Sequence, residues 1–190
     1  LKGKRCLTEK CAIERKGYPP GERKKRRRFK DSNYKLQLRE KQKVKRFYGI
    51  RETQIRNYFK KSAQKKGITG ENLLTSLELR LDNVLYRMNL AYSRAHARQL
   101  IRHGHVLVNG RKVDIPSYRC RENDKISFKE KFISREVQKS IFEDFKNIVE
   151  IPEWLVVDPE KKSGVVNRMP TRADVSIDVE EHQIVELFSK

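Results

Sequence analysis

The stretch SRAHARQLIRHGHVLVNGRKV, residues 93–113, decides the fold. Ser93 is a favoured N-cap residue and Gly104 is a typical helix stop, so the residues between them predict a short helix up to about His103. The pair Asn109-Gly110 then predicts a tight β-hairpin, because both positions of that turn need a positive φ angle. The stretch contains five Arg or Lys residues and no acidic residue. A folded basic surface of this kind is typical of proteins that bind a polyanion, most often a nucleic acid.

The predicted helix has a cationic side and an apolar side. At about 100° per residue, three arginines follow one another along one side, next to apolar residues 97, 100 and 101. We expect the apolar side to pack against the protein and the arginines to face outward, where guanidinium groups can bind phosphate oxygens. The RNA-binding residues predicted here are Arg94, Arg98, Arg102, His103, Asn109, Arg111 and Lys112.

The positive charge is concentrated at the start of the chain. The 190 residues carry a net charge of +20, and residues 1–66 hold 25 Lys or Arg against 6 Asp or Glu. Residues 143–190 hold 6 basic and 11 acidic residues. We therefore expect a second RNA-binding surface in a basic arm and in the helices that follow it. Its predicted residues are Arg23, Lys24, Lys25, Arg26, Arg27, Arg28, Lys41, Lys45, Arg46 and Arg51, with Arg56 and Lys60 also expected to be free for phosphate.

Hydrophobic periodicity and turn residues predict the remaining elements. Residues 1–31 contain the turn-forming run GYPPG and are expected to be irregular. The predicted helices are Tyr34–Tyr48, Arg51–Lys66, Leu73–Met88 and Ser134–Val149; the predicted strands are Asp124–Phe128, Trp154–Val157 and Val165–Asn167; Glu180–Phe188 is a short helix or strand.

These elements predict an α+β fold in four segments. Residues 1–31 are a largely irregular basic arm, and residues 32–75 are a mainly helical domain that binds RNA. Residues 76–142 are a small α/β module in which two helices pack on a short antiparallel sheet with the Asn-Gly hairpin. Residues 143–190 are an acidic C-terminal extension that completes the fold and contacts proteins. Trp154 is expected in a core or between domains, because its surroundings are acidic.

Several classes of function lack their sequence signatures. The chain has no phosphate-binding loop of the GxxxxGK[ST] type, no HExxH and no GxSxG, so we expect no enzyme. It has no run of 18 apolar residues, so no membrane partner is expected. Three cysteines, including Cys120, form no disulfide framework and indicate the reducing cytoplasm. Cys6 and Cys11 have a spacing found in half of a four-Cys zinc site, and two free thiols are the alternative.

Several separate motifs carry a resemblance to a known family. Residues 76–128, SLELRLDNVLYRMNLAYSRAHARQLIRHGHVLVNGRKVDIPSYRCRENDKISF, resemble the RNA-binding module named after small-subunit ribosomal protein S-four. YKLQLREKQKVKRFYGIRETQIRNYF at 34–59, LKGKRC…KCAIERKGYPPG at the start and HQIVELFSK at the end are similar to the bacterial-type S-four ribosomal proteins themselves. The resemblance covers essentially the whole chain. GERKKRRR departs from a stretch with glycine and histidine in many relatives.

The resemblance implies a place in the small ribosomal subunit. Members of the family bind a multi-helix junction in the 5′ domain of small-subunit rRNA early in assembly. With the neighbouring proteins S-three and S-five they line the channel through which mRNA enters, and they influence decoding accuracy. In some bacteria they also repress translation of their own operon mRNA. Some members hold zinc or an iron–sulfur cluster with four N-terminal cysteines; Cys6 and Cys11 match the second pair, and the first pair would precede Leu1.

The sequence therefore predicts a structural, cytoplasmic protein of the small ribosomal subunit that acts as an RNA clamp. Two alternatives use the same RNA-binding module: an RNA-modifying enzyme, and a regulator that binds mRNA outside the ribosome. A basic DNA-binding protein is a third and weaker alternative. An enzyme would need a separate catalytic domain, for which the predicted elements leave no space.

Overall fold

The structure is a computed structural model that describes residues 8–18, 32–133 and 150–189. The predicted arm residues Arg23–Arg28, the thiol of Cys6 and the predicted helix Ser134–Val149 lie outside this range. The helices are α1 (Ala12–Arg15), α2 (Asn33–Phe47), α3 (Glu52–Ala63), α4 (Thr69–Glu78), α5 (Leu81–Arg87), α6 (Arg94–Arg102), α7 (Glu130–Ile133) and α8 (Glu181–Phe188), with a 3₁₀ helix at Arg172–Asp174. The strands are β1 (Val106–Val108), β2 (Arg111–Lys112), β3 (Lys125–Phe128), β4 (Leu155–Asp158) and β5 (Ser163–Val166).

Two apolar cores organise the described residues. The first core, which we call the helical unit, joins α2, α3 and α4 to Val175, Ile177, Val179 and Ile184 from the end of the chain. The second core, the sheet unit, joins α5 and α6 to the sheet and includes Trp154, which is fully buried as expected. Residues 150–189 thus contribute to both cores: their strands extend the sheet unit and α8 closes the helical unit.

All strands pair antiparallel in one sheet, in the order β2-β1-β3-β5-β4. Residues 106, 108, 126 and 128 alternate with more exposed neighbours and point into the core, as expected for a sheet covered on one face. The predicted α+β architecture and its hairpin are confirmed, and so are the predicted strands, which differ by one or two residues at their ends. Residues 12–15 form a short helix where the sequence predicted irregular structure.

One predicted helix is wrong. The apolar stripe of Leu73–Met88 predicts a single helix, but α4 ends at Glu78 and α5 begins at Leu81. Arg80 is extended between them (φ −68°, ψ 135°) and forms an antiparallel bridge with Arg119. The Cys120 N–H donates to the Leu79 carbonyl, and the Leu81 N–H donates to the Tyr118 carbonyl. The break therefore follows from pairing with a segment about 40 residues further along the chain rather than from a local breaker.

Candidate nucleic-acid interface

The end of α6 and the β1–β2 hairpin form one exposed basic surface. Arg102 and His103 are exposed at the end of the helix, and Gly104 terminates it with φ +69°. The Lys112 side chain lies across this glycine so closely that a Cβ there would clash with its Cε. Arg111 is also exposed. Four of the predicted RNA-binding residues are thus brought together: Arg102, His103, Arg111 and Lys112.

The hairpin is held by its own turn residues. Asn109 and Gly110 have φ angles of 50° and 77°, as the mirror-image two-residue turn requires. The Asn109 amide donates to Asp124 Oδ1 over 2.8 Å, and its oxygen accepts from the Lys125 N–H over 2.8 Å. Asp124 is buried and also accepts from the Arg121 N–H. Asn109 therefore fixes the position of Arg111, and its side chain is already engaged within the protein.

Arg98 does not face outward as the helical wheel predicted. Its Nε donates to Asp82 Oδ2 over 2.6 Å, and its two terminal nitrogens donate to the carbonyls of Gly49 and Tyr48. Asp82 is buried and is paired with Arg80 as well. The arginine side of α6 packs against α5 and the turn after α2, so Arg98 ties the sheet unit to the helical unit.

Arg94 is likewise engaged inside the protein. Its guanidinium carbon lies 4.2 Å from the Phe47 ring centre and 4.6 Å from the Tyr86 ring centre, and its Nε donates to Asn83 Oδ1 over 2.8 Å. Burial lowers the pKa of Arg94. The prediction of an outward-facing stripe is therefore correct for Arg102 and wrong for Arg94 and Arg98, because a wheel shows the side of a helix but not its neighbours.

The lysines of α2 differ from their prediction in the same way. Lys41 is buried, and both Lys41 and Lys45 form ion pairs with Glu52 at the start of α3. The hydrogen bond from Lys41 is the main cause of the lowered pKa of Glu52. These lysines therefore join α2 to α3 rather than being free for phosphate. Arg46, Arg51, Arg56 and Lys60 are exposed, as expected.

A buried polar cluster, which sequence reasoning missed, lies where the two units meet. Glu78 has no exposed surface, and its carboxylate accepts from the Tyr48 hydroxyl, Arg87 and Asn83. Burial and the adjacent Glu78 raise the pKa of Tyr48. A local signal existed, because Glu78 and Arg87 interrupt an otherwise apolar stripe, and charges at such positions are usually paired.

The described part of the chain contains no cluster of metal-binding side chains to support the predicted zinc site. Cys11 is half-buried just before α1, Cys6 lies outside that part, and a structural zinc ion needs four ligands. No group of three or more His, Cys, Asp or Glu side chains able to hold a metal ion occurs within residues 8–18, 32–133 and 150–189. The same residues include no helix with the length and apolar character needed to cross a lipid bilayer.

Known proteins match this chain from end to end. Residues 1–78 match the family model described as "Ribosomal protein S4/S9 N-terminal domain", and residues 79–126 match the S4 domain. The small ribosomal subunit protein uS4 of Halothermothrix orenii is 55% identical over 190 residues, covering 100% of this chain and 90% of the relative. Those of Acetivibrio thermocellus and Natranaerobius thermophilus are 53% and 49% identical, with the same coverage.

The two family-model matches correspond to the two units of the structure. The S4 domain match falls on α5, α6 and the hairpin, where the exposed basic surface lies. The N-terminal family match falls on α2, α3 and α4 of the helical unit. Family membership identifies a ribosomal RNA-binding component rather than an enzyme. This chain therefore belongs to the S-four family of small-subunit ribosomal proteins.

Proposed function

We propose that this protein is a structural constituent of the small ribosomal subunit that binds rRNA and holds a multi-helix junction of its 5′ domain closed. The single observation that carries this proposal is the exposed surface of Arg102, His103, Arg111 and Lys112, presented by a hairpin whose own side chains fix it in place. RNA helices that meet at a junction repel one another. A protein that neutralises phosphates on more than one of them stabilises the closed junction.

Two groups of basic residues, one on each unit, suit such a junction. One is the α6–hairpin surface of the sheet unit, and the other is Arg46 and Arg51 of the helical unit. The arm residues Arg23–Arg28, which lie outside the described residues, supply further cations for the same RNA. Arg98 and Arg94 join the two units, so their role is to set the distance between the surfaces. Recognition should depend on the shape and phosphate positions of the RNA more than on base edges. Binding early in assembly would order the junction for later proteins.

The protein partners we propose are S-five and S-three, beside the channel through which mRNA enters. The start of α2 exposes two large apolar side chains, Tyr34 at 61% and Leu36 at 43%. One turn away, the Gln37 amide donates to Glu186 on the acidic helix α8. Exposed apolar side chains beside an acidic helix suit a protein neighbour better than RNA. Contact with mRNA, an effect on decoding accuracy and repression of its own operon mRNA are further parts of the proposal.

Footprinting of small-subunit rRNA tests the proposal. Arg102→Glu and Arg111→Glu place acid on the exposed surface, and Lys161→Glu makes the same charge change in the exposed β4–β5 turn. We expect loss of junction protection in the first two variants and wild-type protection in the third. If about 6–10 phosphates are contacted, affinity should fall by about 10³–10⁵ from 50 to 200 mM salt.

The opposite result would contradict the proposal. Unchanged footprints for both acidic variants would show that the α6–hairpin surface does not bind RNA. An affinity that does not depend on salt concentration would show that phosphate contacts do not contribute to binding. Co-sedimentation with small subunits separates a ribosomal component from a free mRNA regulator.

For Cys6 and Cys11 we propose half of a zinc site. Metal analysis of the purified protein with and without Cys11→Ser separates that site from two free thiols.

A further inference from the structure

A groove lined by polar residues lies between the two units. It encloses about 350 Å³ between α3 of the helical unit and the loop that connects β2 to β3 in the sheet unit. The groove, called the interunit groove below, is lined by Gln54, Asn57, Tyr58, Lys61, Lys65, Ser76, Ser117 and Arg119.

The charge of the interunit groove is entirely positive. Its lining contains three cations and no acidic side chain. Across residues 8–18, 32–133 and 150–189, no ion pair neutralises Lys61, Lys65 or Arg119. Lys61 and Arg119 are exposed, but Lys65 is half-buried, and other cations of limited exposure, such as Lys41 and Arg98, have a carboxylate. Holding unneutralised cations together costs free energy, which a bound anion would offset.

The side chains of the groove also have hydrogen-bond donors to spare. The Lys65 ammonium gives one hydrogen bond to Ser76 Oγ over 3.2 Å and keeps two further N–H groups. The Tyr58 hydroxyl accepts from Arg80 over 2.9 Å, so its own hydrogen is left as a donor. Burial, and secondly the charge of Arg119, lower the pKa of Lys65. A phosphate group, with its anionic oxygens and many acceptor sites, matches this set of donors.

The position of the groove shows what a phosphate there would do. Lys61 lies in the last turn of α3 and Lys65 just after it, whereas Arg119 is paired through its backbone with Arg80 at the break between α4 and α5. A phosphate bound by the lysines and by Arg119 contacts both units at once. It therefore favours one orientation of the helical unit relative to the sheet unit, through residues other than those that Arg98 contacts.

We propose that the interunit groove binds a backbone phosphate of the RNA partner and so stabilises the two units in their RNA-binding arrangement. This inference rests on the proposed function, because it assigns a further contact to the same RNA. RNA is favoured over a small free anion because Lys61 and Arg119 are exposed at the rim of the groove, where they can reach a phosphate that belongs to a longer chain.

Binding of a 5′-domain transcript of small-subunit rRNA to a double variant tests this site. Lys61→Gln with Arg119→Gln removes two rim charges that hold no ion pair in the described structure, so the fold should be kept. We expect roughly tenfold weaker binding at 0.1 M salt. The slope of log affinity against log salt concentration should decrease by about one for the lost phosphate contact. Lys161→Gln, remote on the β4–β5 turn, should leave both quantities unchanged.

A second measurement reports on the groove directly. Amine acylation followed by mass spectrometry compares the reactivity of Lys61 and Lys65 in the free protein, with inorganic phosphate, and with the transcript. Protection of at least several-fold by the transcript alone supports the proposal. Equal protection by millimolar inorganic phosphate would show a free-anion site and overturn the assignment to RNA.

The failure of this site is distinguishable from failure of the proposed function. If Arg102→Gln with Arg111→Gln weakens binding while the groove variant does not, the proposed function stands and the groove is excluded. If neither variant weakens binding, both are contradicted. Unchanged lysine reactivity in the RNA complex likewise excludes the groove.

Discussion

The arginines of α6 have two different roles although they lie on one helix side. Arg98 forms an ion pair with buried Asp82 and donates to the carbonyls after α2, whereas Arg102, one turn later, is exposed. The same residue type at the same spacing is thus internal at one position and available to RNA at the other. The length of the arginine side chain allows both, and the neighbouring element decides between them.

We expect Arg98→Ala to lower the free energy of unfolding by about 2–4 kcal/mol, because it removes three hydrogen bonds and one partner of a buried carboxylate. Arg102→Ala should change that free energy by less than about 0.5 kcal/mol. Urea unfolding of both variants measures the difference. Equal destabilisation by the two substitutions would contradict the internal role of Arg98.

We expect RNA affinity to show the opposite ranking: among folded proteins, Arg102→Ala should bind RNA more weakly than Arg98→Ala. Arg102→Ala removes an exposed cation from the surface proposed to bind RNA, whereas Arg98 has its donors engaged within the protein.

The sequence could predict the arginine side of α6, since periodicity is local. It could not predict the partners of Arg98, since Tyr48 and Gly49 lie about 50 residues away along the chain.

Among the elements, the most local were the most predictable. Ser93 caps α6 by accepting from the His96 N–H, and Asn109-Gly110 forms the expected turn, because each depends on residues within one turn of itself. The break between α4 and α5 has no such local cause. It depends on the bridge between Arg80 and Arg119, which belongs to the fold and not to the helix pattern.

The 3₁₀ helix Arg172–Asp174 gives a pH-dependent prediction for an element. Its Asp174 carboxylate accepts two hydrogen bonds from Arg168 and one from the Thr171 N–H, and the Arg168 guanidinium is the main cause of its pKa falling from 3.8 to about 2. A carboxylate whose folded pKa is depressed stabilises the protein above its unfolded pKa. This stabilisation is lost as the pH falls from about 4 towards 2.

We therefore expect Arg168→Met to be less stable than wild type at pH 6, with the difference shrinking between about pH 4 and pH 2. Thermal unfolding across this pH range measures it. Lys161→Met is the matched control. The main cause of the lowered pKa of Asp158 is its hydrogen bond from the backbone N–H of Lys161, and the substitution keeps that N–H. Its curve should parallel that of wild type, and a pH-independent difference for Arg168→Met would contradict the role of Asp174.

At the scale of the whole molecule, residues near the C-terminus complete the core of the helical unit, which is otherwise formed by α2, α3 and α4. Ile184 of α8 is fully buried against α2 and α4, and Val175, Ile177 and Val179 pack in the same core. An acidic, weakly apolar C-terminal segment gave little sign of this placement. Long-range packing of this kind cannot be read from periodicity, which shows that a face is apolar but not which core it joins.

We expect Ile184→Ala to destabilise the helical unit by about 2–5 kcal/mol, the usual cost of a large-to-small change in a core. Hydrogen exchange should increase first at the amides of Val44 and Ile55, which share that core, while Val106 and Ile126 of the sheet unit stay protected. Ile151→Ala removes a side chain that is 40% exposed and serves as the control. Uniform loss of protection would show instead that the two cores unfold together.

The same closure has a consequence for protein synthesis. Leu77 of the helical unit leaves the translating ribosome roughly a hundred residues before Ile184 does, which is on the order of 5–20 s at ordinary bacterial elongation rates. During that interval α2, α3 and α4 exist as a nascent chain without the segment that covers Leu73 and Leu74. The N-terminal part of this protein is thus made first and completed last, and premature termination near its end leaves a chain with an uncovered apolar face.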